Sequence, residues 1–132
     1  MISLLFFILA SVANAIMDTC SHHYSTSVFK KLNPMFWNNE ISWRSKYIDN
    51  DPTKGKRKIF NGLLNFPVQL TDAFHFFKSL MIIFICFSIA TFDLNFLYIF
   101  DYWICVLIVV TVYGTLWNIT FSLFYNRILR RK

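Results

Sequence analysis

Asp18 with His22 and His23, and Asp72 with His75, are the side chains whose types and spacing could do chemistry. Asp18 and His22 are four residues apart and Asp72 and His75 three apart, so on a helix each pair shares one face. Asn14 lies one turn before Asp18 on the same stripe. Carboxylate oxygen and neutral imidazole nitrogen together suit a divalent ion such as zinc, manganese or iron. An ion held at a membrane surface could activate water against a lipid ester or phosphate, with Lys78 or Arg44 holding the anionic headgroup. Neither an H-E-x-x-H pattern nor a CxxC pair accompanies these residues, so the spacing selects no particular metal site. The plainer expectation is that they join helices. Asp72, following Thr71, can start a helix by accepting from free backbone N–H groups. A carboxylate near a span end also costs well below the roughly 2.5 to 3.5 kcal/mol of a helix centre.

The elements that must position these residues read as membrane spans. Of 132 residues, 56% are hydrophobic and 20% aromatic, with mean hydropathy +0.47, whereas a soluble domain holds roughly 45 to 50% apolar residues even counting Gly. Sixteen Phe exceed what one soluble core of this size would hold, while lipid-facing helices take them without penalty. The run from Ile2 to Met17 is interrupted only by Ser3, Ser11 and Asn14. A second run, Ser79 to Phe92, reaches spanning length if its helix begins near Leu70, placing Asp72, His75 and Lys78 in its first turns. The third, Leu97 to Phe124, carries Asp101, Gly114 and Asn118 and closes on Arg127, Arg130, Arg131 and Lys132. The expectation is one all-α integral membrane domain, with spans near residues 2–24, 68–92 and 97–125 and a basic, aromatic-rich loop over residues 30–66 between the first and second.

That loop is punctuated by Pro34, Pro52, Gly55 and Gly62, with Pro67 just beyond, and reads as one short helix and several turns. Eight Lys and Arg against three acids give it a charge of +5, while the other connection, Thr91 to Tyr98, holds only Asp93. The positive-inside rule then puts the N-terminus outside and the basic loop and Arg-rich tail inside a bacterial inner membrane. On that topology Asp18, Asp72 and their histidines share one bilayer depth, and Asn118 joins them from the third span, so three helices offer polar groups to one inner-leaflet pocket. The competing expectation is a cleaved signal peptide, since Val12-Ala13-Asn14-Ala15 has the small residues of a cut site. No Lys or Arg precedes the apolar run, however, and cleavage would export the basic loop. Cys20, Cys86 and Cys105 read as small hydrophobes and imply no disulfide framework.

Trp37, Trp43 and Tyr47 interleave with Arg44 and Lys46 in the loop, followed by Lys54, Lys56, Arg57 and Lys58. Trp and Tyr settle at headgroup level, and each clustered base gains roughly 1 kcal/mol beside an anionic leaflet. The expected partners are therefore the bilayer and its anionic headgroups, with nucleic acid not expected. A chain this small buries few helix faces alone, so a homo-oligomer or a larger membrane partner is expected as well.

The strings N-A-I-M-D-T (Asn14 to Thr19), N-P-M-F-W-N (Asn33 to Asn38), I-S-W-R-S-K-Y (Ile41 to Tyr47) and L-T-D-A-F-H (Leu70 to His75) resemble a group of small uncharacterised membrane proteins of Bacteroidetes-type bacteria and their phages. The resemblance covers about the first two thirds of the chain and implies that the four strings belong to one site or surface. It implies no activity. Three functional expectations follow: an accessory membrane component that binds lipid or a partner, a metal-dependent membrane hydrolase or lipid-modifying enzyme, and a holin-like phage lysis pore.

Overall fold

The computed structural model describes residues 2–93 and 101–130. The chain is mostly helical with little sheet. Helices α1 (Ile2–His22), α2 (Pro34–Trp37), α3 (Asn39–Ser42), α4 (Ala73–Ala90) and α5 (Tyr102–Leu123) follow in order, and a two-strand hairpin, β1 (Lys58–Ile59) and β2 (Leu64–Asn65), lies between α3 and α4. A π turn, Phe124–Ile128, extends α5. Among the described residues three helices are long and apolar enough to cross a membrane: α1 with 21 residues, α4 with 18, and α5 with its π turn at 27. At 1.5 Å per residue these reach about 32, 27 and 40 Å, against a hydrocarbon thickness of about 30 Å.

Helix α1 lies between the other two. Its buried positions are all small: Ser3, Ala10, Ser11, Ala13, Ala15, Thr19 and Cys20. Small side chains let helix backbones approach closely. Helix α4 packs antiparallel on α1. Ser3 and the ring of Phe6 meet Ser88 and Phe87 at one end, and Cys20 lies beside Asp72 at the other. Helix α5 runs parallel to α1 on the other flank. The ring of Phe7 sits 4.8 Å from Tyr113 and 5.2 Å from Trp117, and the Ser11 hydroxyl donates to the Trp117 carbonyl at 3.0 Å.

The helix bounds differ from the sequence expectation for local reasons. Helix α1 stops at His22, not residue 24, and a 3-10 turn, Tyr24–Thr26, leads to Ser27, whose side chain caps the next turn by accepting from the Phe29 N–H at 3.1 Å. Helix α4 begins at Ala73, later than the expected 68 to 70. Pro67 opens a separate 3-10 turn, Val68–Leu70, and Asp72 has extended backbone (φ −155°, ψ 162°) as the capping residue. Residues 97–100 of the expected third span lie outside the described residues.

The connecting segment holds more structure than one short helix and turns. Phe60 and Asn61 adopt φ of 50° and 54°, and Gly62 follows at 92°, so the hairpin turn uses left-handed backbone at three successive positions, where only the glycine is free of strain. The segment folds over the α1 C-terminus and the α4 N-terminus as a cap. Trp37 stacks on Phe29 at 4.5 Å and reaches Phe77 of α4 at 5.9 Å, while the Asn39 amide donates to Ser21 Oγ of α1 at 3.4 Å. The C-terminal end closes on the same region, where the Val28 N–H donates to the Leu129 carbonyl at 2.9 Å and Leu129 is buried.

Candidate functional site

Asp72 is the most constrained acidic residue at the capped end. Its side chain is fully buried. One carboxylate oxygen accepts from the His75 backbone N–H at 2.9 Å, which satisfies a free donor at the start of α4 and places negative charge at the positive end of the helix dipole. The His75 ring Nδ1 lies 2.8 Å from the other oxygen, and Thr71 Oγ1 approaches that same oxygen at 3.0 Å. The expectation that Asp72 and His75 face one another therefore holds, and so does the helix-starting role of Asp72. A charged or neutral His75 ring can each donate from Nδ1, so the pair orients the imidazole and leaves Nε2 for other contacts.

The remaining members of the expected cluster do not gather around this pair. Asp18 is half-buried on α1 and has no ion pair among the described residues. His22 is exposed at the end of α1. His23 turns toward the C-terminal end, its ring 5.4 Å from Tyr125. Its imidazole is held below its ordinary value of 6.5 by desolvation, then by the charges of Arg130 and His22. Among the described residues no three His, Cys, Asp or Glu side chains come together in a way that could hold a metal ion.

Asn118 departs furthest from expectation. It was expected to join an inner-leaflet pocket, but its side chain is exposed on α5 and donates to the Gly114 carbonyl of its own helix at 2.9 Å. Phe7 and Ser11 of α1 meet Tyr113 and Trp117, and Asn118 stands one residue, or about 100°, around the helix from Trp117. Asn14 is half-buried on α1, and Lys78 is exposed, its ammonium 5.9 Å from the Phe74 ring centroid.

The basic loop residues separate into two groups. Trp37 packs between Phe29, Phe36 and Phe77 and so attaches the cap to α4. Trp43, Arg44, Lys46 and Tyr47 form an outward run in which Arg44 lies 5.4 Å over Trp43 and Lys46 lies 5.3 Å over Tyr47. Cations within about 6 Å of a ring face gain roughly 0.5 to 1 kcal/mol at exposed sites, enough to bias these side chains without locking them.

Beyond Tyr47 the chain folds back on itself. Ile48 N–H donates to the Gly55 carbonyl at 3.1 Å and Arg57 N–H to the Lys46 carbonyl at 2.9 Å. Asp51 caps the turn Pro52–Lys54 by accepting from the N–H and the hydroxyl of Thr53, and these bonds hold its carboxyl below the usual value. The fold-back encloses an open cleft of about 900 Å³ lined by Lys54, Lys56, Arg57 and Lys58, with Asp49 as its one acidic lining residue. Asp49 is paired to Lys54 at 2.8 Å, both largely exposed, so the pair contributes little to stability, and among the described residues the other three cations of the cleft have no ion pair. Arg57 is steadied from behind, 4.8 Å from the Phe66 ring and within 3.4 Å of the Ser45 carbonyl.

Sequence reasoning missed one further set. Ser3 of α1 bonds to both Ser88 of α4 and Tyr113 of α5, the one place among the described residues where hydrogen bonds join all three long helices. The available signal was the presence of hydroxyls inside otherwise apolar runs.

Comparison with known proteins finds no matching family, curated protein or solved structure.

Proposed function

We propose that the chain is a three-span membrane component of accessory or partner-binding type, whose basic cap binds anionic lipid headgroups at the inner leaflet. The observation that carries this reading is the segregation of charge along the molecule. All eleven Lys and Arg among the described residues belong to the cap, the first turns of α4 or the end following α5, whereas the opposite end carries Asp93 and Asp101. That asymmetry supports an orientation with the cap in the cytoplasm and the α4–α5 connection outside. With spans of these lengths the cap would meet the headgroup layer, and the cleft cations would face phosphodiesters. Lysines attract these as point charges, and the Arg57 guanidinium offers paired N–H donors.

Asp72 and His75 act in this reading as positioning residues. They fix the start of α4, and α4 anchors the cap through Phe76 and Phe77. The test is lipid retention by the detergent-purified protein, measured by native mass spectrometry with equimolar phosphatidylglycerol and phosphatidylcholine. The wild type is expected to retain phosphatidylglycerol preferentially. A Lys54→Gln, Lys56→Gln, Lys58→Gln variant should lose that preference by about a hundredfold, at roughly 1 kcal/mol per base. Equal retention of both lipids by the wild type would sink the proposal.

A further inference from the structure

Asn118 stands near the middle of the longest span with an amide that the described residues satisfy only in part. The span Tyr102–Ile128 is centred on residue 115, and Ser11, at the middle of α1, bonds to the carbonyl of the neighbouring Trp117. The bond from Ser11 to Trp117 sets Asn118 about 15 Å from either end of α1, and Asn118 lies three residues past the centre of its own span. Its side chain is exposed, and its bond to the Gly114 carbonyl uses one of two amide hydrogens. That is its one hydrogen bond among the described residues, so the second N–H and the side-chain carbonyl have no partner. At a protein surface in water this would be unremarkable. In hydrocarbon, polar groups without partners are costly, and polar side chains of spans face other protein.

From this geometry we infer that a second copy of the chain covers this face, with two α5 helices paired about Asn118. The inference rests on the membrane reading above. The chemistry selects a second copy because a carboxamide is its own complement: each Asn118 donates the free N–H to the other's carbonyl across a two-fold axis along the membrane normal, where residue i meets residue i. No charged residue lies between Tyr102 and Tyr125, so the face meets itself without like-charge repulsion. Gly114 lies one turn away, and a Cβ there would meet nothing within 4 Å, which leaves room for the two backbones to approach. Thr111, Thr115 and Ser122 continue the face with small polar side chains, all exposed.

Sedimentation equilibrium of the full chain in density-matched detergent tests the pairing. The wild type is expected to be dimeric, Asn118→Leu to weaken the dimer about tenfold, and Gly114→Ile to weaken it by obstructing approach. Asn118→Gln, which keeps the amide, should restore pairing, a result that a general packing defect would not produce. A monomeric wild type, or equal association in wild type and Asn118→Leu, overturns the inference. Alkaline carbonate washing of proteoliposomes reports insertion separately. Protein that stays in the bilayer but is monomeric overturns the pairing alone, and protein that washes off overturns the membrane reading and the pairing together.

Discussion

The Tyr113 hydroxyl lies 2.7 Å from Ser3 Oγ, and the bonding around it assigns the donor. Ser3 Oγ donates to the Ser88 carbonyl at 2.7 Å, and Ser88 Oγ donates back to the Ser3 carbonyl at 3.0 Å. The single Ser3 hydroxyl hydrogen is thereby used, so Tyr113 must donate to Ser3. Helices α4 and α5, which flank α1 on separate sides, are tied through one serine.

Tyr113→Phe removes that donor while keeping the ring against Phe7 and Phe92. The expected loss is about 0.6 kcal/mol, with an upper bound near 1.7, the usual range for interhelical bonds in bilayers. Ser3→Leu should cost more than Ser3→Ala, because the larger side chain separates α1 from α4 where Ser3 is buried. Denaturant titration of the detergent-solubilised variants, followed by far-UV circular dichroism, checks both. Equal stability of the alanine and leucine variants would contradict the close approach.

Asp72→Ala removes the α4 cap and the His75 partner together and should destabilise by about 1 to 2 kcal/mol. Asp72→Asn keeps an acceptor for the His75 N–H and should lose less. In a double-mutant cycle with His75→Ala the two effects should be non-additive, because the residues share hydrogen bonds. Additive losses would place the stabilisation in the cap alone.

Chelation is expected to leave thermal stability unchanged, since Asp18, His22, His23, Asp72 and His75 do not converge as a ligand set among the described residues. Differential scanning fluorimetry with and without EDTA reads this directly. A fall in unfolding temperature that added zinc or manganese restores would revive the metal-dependent alternative.

Acidification should weaken the closure of the cap on the C-terminal end. His23 is a base whose value in the folded chain lies below 6.5, so the unfolded chain takes up its proton first and stability falls as pH drops through 6.5 towards the folded value. Asp51, depressed below 3.8, contributes stability above that value that is lost as pH falls through its lower folded value. Unfolding temperatures at pH 7.5 and 5.5 should therefore differ less in His23→Gln than in the wild type. An unchanged difference in the variant would assign the pH dependence elsewhere.

The three apolar runs were legible because length and hydropathy alone define a helix able to cross a bilayer, and the Asp72–His75 pair was legible because i,i+3 spacing on a helix leaves little freedom. Asn118 was not. Thr115, Asn118 and Ser122 mark one face of α5, but the mark does not say whether that face meets α1 or turns away from it, and a residue's partner depends on that rotation. Composition suggests a headgroup role for Trp37, but a loop tryptophan serves equally well as an anchor between loop and helix, and its stack on Phe29 was not legible from composition. The Ser3, Ser88 and Tyr113 contacts were hidden because their sequence separations of 85 and 110 residues leave no local trace.

Sidedness of the cap tests the central claim most directly. In a background with Cys20, Cys86 and Cys105 replaced by alanine, single cysteines at Thr53, beside the cleft, and at Thr91, at the far end of α4, are exposed to a membrane-impermeant maleimide. Thr53→Cys should be protected in intact spheroplasts and labelled in inverted vesicles, with Thr91→Cys showing the reverse. Labelling of both from the same side, or of Thr53→Cys in intact spheroplasts, would contradict a three-span protein whose basic cap faces the inner leaflet.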